Sequence, residues 1–241
     1  MQNEKPMNFF QKLIKIFTAP SEVLQDIKES PKFLFPFIYV FVVTVITKIL
    51  QRPMIELQQQ EIQNLYLEKY GVDIFSLSQK GLMNSNSIVV NIFGTLIGLW
   101  VAWLISSAFL LLISKILKGE ATYKQLLSLV IHAGMLTSTL ILITTPIDLI
   151  LNSSSTVFSL SVLYPGGNMT SFLYNILNSM TLFSIWAVIL KGMGLYILND
   201  FSKRKGYLTS IFSYIVSTFF AAGSASMSFW IIDMLYRQGN L

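Results

Sequence analysis

From Ile88 to Ser114 the chain carries no charged side chain. A helix rises about 1.5 Å per residue, so about 20 residues cross the ~30 Å hydrocarbon core of a bilayer. The run is long enough to do so with tilt, and it reads as a membrane span over residues 88–115. Lys115, Lys118 and Lys124 follow at once, opposed only by Glu120. A basic loop beside a span stays on the cytoplasmic side, so this helix has a fixed orientation and the others can be numbered from it.

Four more spans are read at about 32–50, 126–150, 172–198 and 208–235. Charged residues make up 12% of the chain against 53% hydrophobic, where a soluble domain is usually about 25% charged. The expected fold class is all-α: a polytopic membrane helix bundle with five transmembrane helices. Eleven of the 17 Lys and Arg residues fall in the N-terminal segment and in the loops after the second and fourth spans. That asymmetry places the N-terminus in the cytoplasm and the C-terminus outside.

Residues 1–31 form a cytoplasmic or interfacial segment, and 32–241 the membrane domain. Within the first, Met7–Ala19 reads as an amphipathic helix. Phe9, Phe10, Leu13, Ile14 and Phe17 share a face, with Lys12 and Lys15 toward its edge. It either lies in the membrane interface or packs on the end of the bundle. Pro20 opens a second helix, which stops before Pro31. The polar excursion 51–87 carries a further amphipathic helix in the first external loop, with Ile55, Ile62, Leu65, Tyr66 and Tyr70 on its stripe and an end near Gly71.

Chemistry-bearing residues are few. There is no cysteine and a single histidine. No metal, cofactor or nucleophile pattern is present, so no cofactor and no enzymatic activity are expected. The net charge of +5 is accounted for by residues flanking the spans, so nucleic acid is not an expected partner. His132 and Lys191 are ionisable groups inside spans and therefore candidate functional residues. His132 reads first as a structural hydrogen bond, and Lys191 as a cation snorkelling to the cytoplasmic interface. Asn91, Asn175 and Asn178 are candidate interhelical polar groups, whereas Asp148 and Asp233 read as solvated carboxylates at the outer boundary. Gly94 and Gly98 form a GxxxG that lets two helices approach closely. With the small residues Ala221 and Ala225 they are candidate packing or oligomer faces.

The loop Lys118–Leu129 (KGEATYKQLLSL) resembles the cytoplasmic loop of the Yip1-domain membrane proteins, with Lys118, Gly119, Tyr123 and Lys124 as its marked positions. Ile16–Pro31, with Pro20 and Glu22, is similar to the family's pre-membrane segment. Trp186 before Gly192 and Gly194, and the basic turn Phe201–Gly206 (FSKRKG), agree as well. The Asp-Leu-Tyr-Gly-Pro pattern of the eukaryotic members is absent, which points to the bacterial branch and to a bacterial plasma membrane. The resemblance implies a non-enzymatic membrane scaffold, or an accessory subunit of a transporter such as an ABC exporter. Its partners would be the lipid bilayer and another membrane protein or a second copy of the chain. Two alternatives stay open: a small permease or channel with a polar path near Lys191 and His132, and a membrane-shaping protein acting through Met7–Ala19.

The cysteine-free chain allows the orientation to be tested by single-cysteine labelling. Cysteines placed at Lys118 and Arg204 are expected to resist a membrane-impermeant maleimide in intact cells, while one at Ser154 reacts. Labelling of the first two would reverse the assigned orientation.

Overall fold

The computed structural model describes residues 7–71, 88–165, 167 and 169–238. Among these residues the chain is helical: α1 (Phe9–Thr18), α2 (Pro20–Glu29), α3 (Leu34–Leu50), α4 (Arg52–Tyr70), α5 (Ile88–Ile116), α6 (Tyr123–Ile150), α7 (Phe172–Ser179), α8 (Leu182–Asn199) and α9 (Lys203–Arg237). One 3₁₀ turn, Leu160–Leu163, lies between α6 and α7. Helix is the expected answer for a single apolar segment in hydrocarbon, because it alone satisfies each backbone N–H and C=O within the segment.

Among the described residues four helices are long and apolar enough to cross a membrane: Ile92–Ile116 within α5, α6, α8, and Lys203–Ile231 within α9. The count becomes five if α3 and α4, bent by 62° at Gln51, are taken as one span. Pro53 sits in the first turn of α4, where its missing N–H does no harm. That helix ends, as expected, on Gly71 in the left-handed conformation at φ +67°, with its N–H on the Leu67 carbonyl. Residues 72–87 of the excursion lie outside the described residues.

The fourth span departs from the expected 172–198. Helix α7 stops at Ser179, and α8 begins only at Leu182. The break has a local cause. The Leu160 N–H donates to the Met180 carbonyl (2.9 Å) and the Leu182 N–H to the Phe158 carbonyl (3.1 Å), so that Ser159 and Thr181 form an antiparallel bridge. Backbone groups committed to the 158–160 strand cannot also close helical turns.

The chain packs as two compact units. The described parts of Met1–Thr44, Leu96–Ile141 and Phe183–Ser217 form the first, and those of Val45–Thr95, Leu142–Leu182 and Thr218–Leu241 the second. The first holds the main core: Ile16 from α1, Leu24 and Ile27 from α2, Leu110 from α5, Leu129 and Met135 from α6, and Leu190 and Leu195 from α8 are almost completely buried. In the second, Tyr66 of α4 is buried and its ring stacks on Phe229 of α9 at 5.9 Å.

The N-terminal amphipathic segment resolves into a packed helix. Asn8 caps α1 through a capping box with Gln11. Ile16 is buried, and Phe9 meets Tyr39 of α3 with ring centroids 5.7 Å apart. Lys12 is not at the edge of the helix. It is 3% exposed, and its ammonium lies 2.5 Å from Asp26 of α2. Phe10 and Ile14 remain exposed on the other side of α1.

Breaking a buried ion pair from one side leaves an uncompensated charge and costs about 3–5 kcal/mol. Lys12→Ala is therefore expected to lower stability by that order in detergent denaturation. The double variant Lys12→Met/Asp26→Leu should recover most of the loss, because neither charge is left behind.

Candidate functional site

Helix α5 ends at Ile116, and its last carbonyls are taken up by a Schellman turn. The Gly119 N–H reaches the Ser114 carbonyl at 2.7 Å, and Lys118 takes the left-handed position at φ 60°. Glycine commonly fills that position, yet here it stands one residue later for a different reason. A Cβ on Gly119 would come within 2.3 Å of the Asn199 Oδ1 and 2.8 Å of the Phe201 ring.

Asn199, the last residue of α8, is 3% exposed. Its Oδ1 accepts from the Ala121 N–H (3.1 Å), and its Nδ2 donates to the Leu195 carbonyl (3.0 Å). The turn after α8 repeats the logic of the first. Asp200 sits at φ 55° and the Phe201 N–H bonds the Tyr196 carbonyl at 3.1 Å. Lys205 then ties the two turns together, donating to the Leu117 carbonyl at 2.6 Å with its ammonium 4.0 Å from the centre of the Phe201 ring. From α2, Lys28 pairs with Asp200 at 2.6 Å, and its carbonyl accepts from the Gln125 Nε2 at 2.7 Å.

The segments 118–124, 16–31 and 199–206 are thus brought into one node, although up to 172 residues separate the partners in sequence. Gly192 and Gly206 allow α8 and α9 to touch: a Cβ on Gly206 would lie 2.8 Å from the Gly192 carbonyl oxygen. A Cβ on Gly194 would strike Leu129 of α6 at 2.3 Å. Tyr123 is half-buried and its hydroxyl donates to the Leu104 carbonyl at 3.3 Å, while Lys118 and Lys124 point to the exterior. Trp186 is exposed and takes no part in the node.

His132 is completely buried. Its Nδ1 lies 2.7 Å from the Ser128 carbonyl, which can only accept, so Nδ1 carries the proton. Its Nε2 has no partner among the described residues. Lys12 and Asp26 are close enough for their charges to act on the ring. The buried imidazole on α6 thus lies within the field of the ion pair that joins α1 to α2. Lys191 stands near the middle of α8 and is half-buried. It follows Ser184 and Val188 on the face that meets α9, where Ser184 bonds the Tyr214 hydroxyl (2.9 Å) and the Ser210 hydroxyl donates to the Val188 carbonyl (2.7 Å). Among the described residues no carboxylate pairs with Lys191.

In the second unit Asn175 bonds across helices. Its Nδ2 donates to the Met169 and Ser171 carbonyls (both 2.9 Å) and to the Ser226 hydroxyl of α9 (3.3 Å). Asn178 accepts from Ser161 in the 3₁₀ turn at 3.4 Å. The Asn91 side chain lies outside the described residues. Asp148 is a correction. It is 1% exposed rather than solvated, because the 151–157 loop folds back and donates the Val157 N–H (2.9 Å) and the Thr156 hydroxyl (3.4 Å) to its carboxylate. Asp233 accepts from the Tyr70 hydroxyl, from Lys69 at 3.1 Å and from Arg237 at 3.0 Å. The Tyr70 hydrogen bond and then Lys69 hold its carboxyl below the usual carboxylate range. These groups edge a cleft of about 660 Å³ with aromatic walls from Tyr66, Phe229 and Trp230. The described residues contain no cluster of three or more His, Asp or Glu suited to a metal ion.

Lys12, Asp26 and Asn199 were not legible as site residues. The first two stand in a polar-looking amphipathic segment, and Asn199 closes an apolar run beside Asp200. The only available signal was a buried-type spacing of Lys12 with Ile16 on one face of α1.

Comparison with known proteins gives a consistent placement. The Yip1 domain model matches residues 14–225. Over 209 residues the chain is 25% identical to the membrane protein YknW of Bacillus subtilis (strain 168), covering 83% of each. No solved structure matches.

Gly119→Ala tests the node. Forcing a methyl against Asn199 should cost about 1–3 kcal/mol by overpacking, seen as a lower melting temperature in detergent. Asn199→Ala in the same background should relieve part of that loss.

Proposed function

Since the chain belongs to the Yip1-domain family of membrane proteins, we propose that it is a non-enzymatic scaffold or accessory subunit that binds and positions another membrane protein, such as the transport subunits of an ABC exporter. The family is generally without catalytic activity, and the multi-pass architecture suits a role carried out inside the bilayer.

The observation that supports this reading is the state of α5. Built onto Gly94 or onto Gly98, a Cβ meets nothing within 4 Å. Among the described residues, the GxxxG that permits close helix approach is therefore not consumed by packing. Phe93, Ile97, Val101 and Ile105 are exposed on the same helix. On α9, Ala221 is exposed and Gly223 is also free of neighbours within 4 Å. Lipid covers such faces adequately, but small residues give lipid no special fit and give another helix a close one.

The permease reading has less support. His132 is completely buried on α6, the helix that supplies Leu129, Ile131 and Leu136 to the apolar core.

Gly94→Leu and Gly98→Leu are expected to abolish recovery of a stoichiometric membrane-protein partner in mild detergent, scored by mass spectrometry. The melting temperature of the isolated chain should stay unchanged, because the added atoms meet open space. Recovery of the same partner with both variants would remove the α5 face from the proposal.

A further inference from the structure

Between the C-terminal turns of α5 and the N-terminal turns of α9 runs a groove of about 440 Å³. Ile113 and Leu117 form one wall, Leu208 and Phe212 the other, and Arg204 and Lys205 stand at its end. No lining residue is acidic. Leu208 and Phe212 are more than half exposed, so the groove opens laterally along two membrane helices rather than into a closed cavity.

Three cations, Lys203, Arg204 and Lys205, occupy the first turn of α9, and no acidic residue offsets them there. The N-terminus of a helix already carries about half a positive charge, so cations at this position repel it and an anion is favoured. Lys205 is engaged by the Leu117 carbonyl and the Phe201 ring. Arg204 is exposed and has no ion-pair or hydrogen-bond partner among the described residues. Its guanidinium is a planar fork suited to two parallel hydrogen bonds with a phosphate.

An apolar channel along the bilayer direction, ending in an uncommitted arginine and a positive helix end, fits one kind of molecule. We propose that this groove binds an anionic phospholipid, with the phosphate on Arg204 and the α9 N-terminus and an acyl chain between Leu117 and Phe212. The apolar walls account for the chain, and the absence of a carboxylate accounts for the selection of net negative over zwitterionic headgroups. This inference stands apart from the scaffold reading, since a lipid held here requires no protein partner.

The test is native mass spectrometry of the full-length chain released from detergent, with phosphatidylglycerol and phosphatidylcholine offered at equal concentration. A juxtamembrane cation favours an anionic lipid by about fivefold, so the one-lipid adduct should favour phosphatidylglycerol by at least that factor. Arg204→Gln should lower the ratio by about that factor. Leu208→Trp fills the groove without touching the charge and should weaken phosphatidylglycerol binding while Arg204 is still present. Inorganic phosphate separates headgroup from lipid: millimolar phosphate should fail to displace the adduct. Equal adducts of both lipids, an unchanged preference in Arg204→Gln, or full displacement by inorganic phosphate would each overturn the proposal. Both substituted side chains are exposed, and a melting temperature matching the parent chain confirms that each variant is folded. If Arg204→Gln melts early, Lys203→Gln provides the same charge change one residue away.

Discussion

Backbone groups at a helix end have no intrahelical partner, and a polytopic membrane protein must satisfy them wherever its helices turn around. In this chain the turns after α5 and α8 close their own backbone bonds, and one side chain links the two. Asn199 accepts from the Ala121 N–H in the connection after α5 and donates to the last turn of its own helix, so the two turns are held against each other. The left-handed residues of these two turns, Lys118 and Asp200, are not glycines. Each pays about 1–2 kcal/mol in backbone strain, offset by the closed hydrogen bonds around them and, for Asp200, by its ion pair with Lys28.

The second organising feature is electrostatic. A charge in an apolar environment is tolerable when it is paired and hydrogen-bonded. Lys12 and Asp26 meet that condition together, with the Met7 N–H adding a further bond of 2.8 Å to the carboxylate. The pair joins α1 to α2, both of which precede the first membrane helix, and it sits close to the buried His132 of α6. A segment that looks peripheral in sequence is thereby built into the core of the first unit, and it leaves Phe10 and Ile14 outside to meet lipid or a partner.

Much of the architecture could be read from the uncharged runs. The ends of α5 and α6 fall within a few residues of the expected limits, because Lys115–Lys124 interrupts the apolar sequence sharply. The fourth span could not be read in the same way. No charge or proline marks Ser179–Thr181, and the break there is made by backbone pairing with Phe158–Leu160, a contact that composition does not record. Asp148 was misjudged for a related reason, since its burial depends on a loop that returns over it. The resemblance motifs were recognisable as separate short strings. Their meeting at Asn199 belongs to the fold and required the coordinates.

The shortening of the fourth span changes how the chain meets its solvent. Eighteen helical residues extend about 27 Å, below the ~30 Å of an average hydrocarbon core and close to that of a thin bilayer. Such a deficit is met by drawing the lipid surfaces together, by extending polar side chains from the flanks or by oligomerisation. Lys191 stands near the centre of that helix, the position from which a side chain has furthest to reach to leave the hydrocarbon. Hydrophobic mismatch at α8 is therefore smallest in a thin bilayer and grows with the thickness of the layer around it.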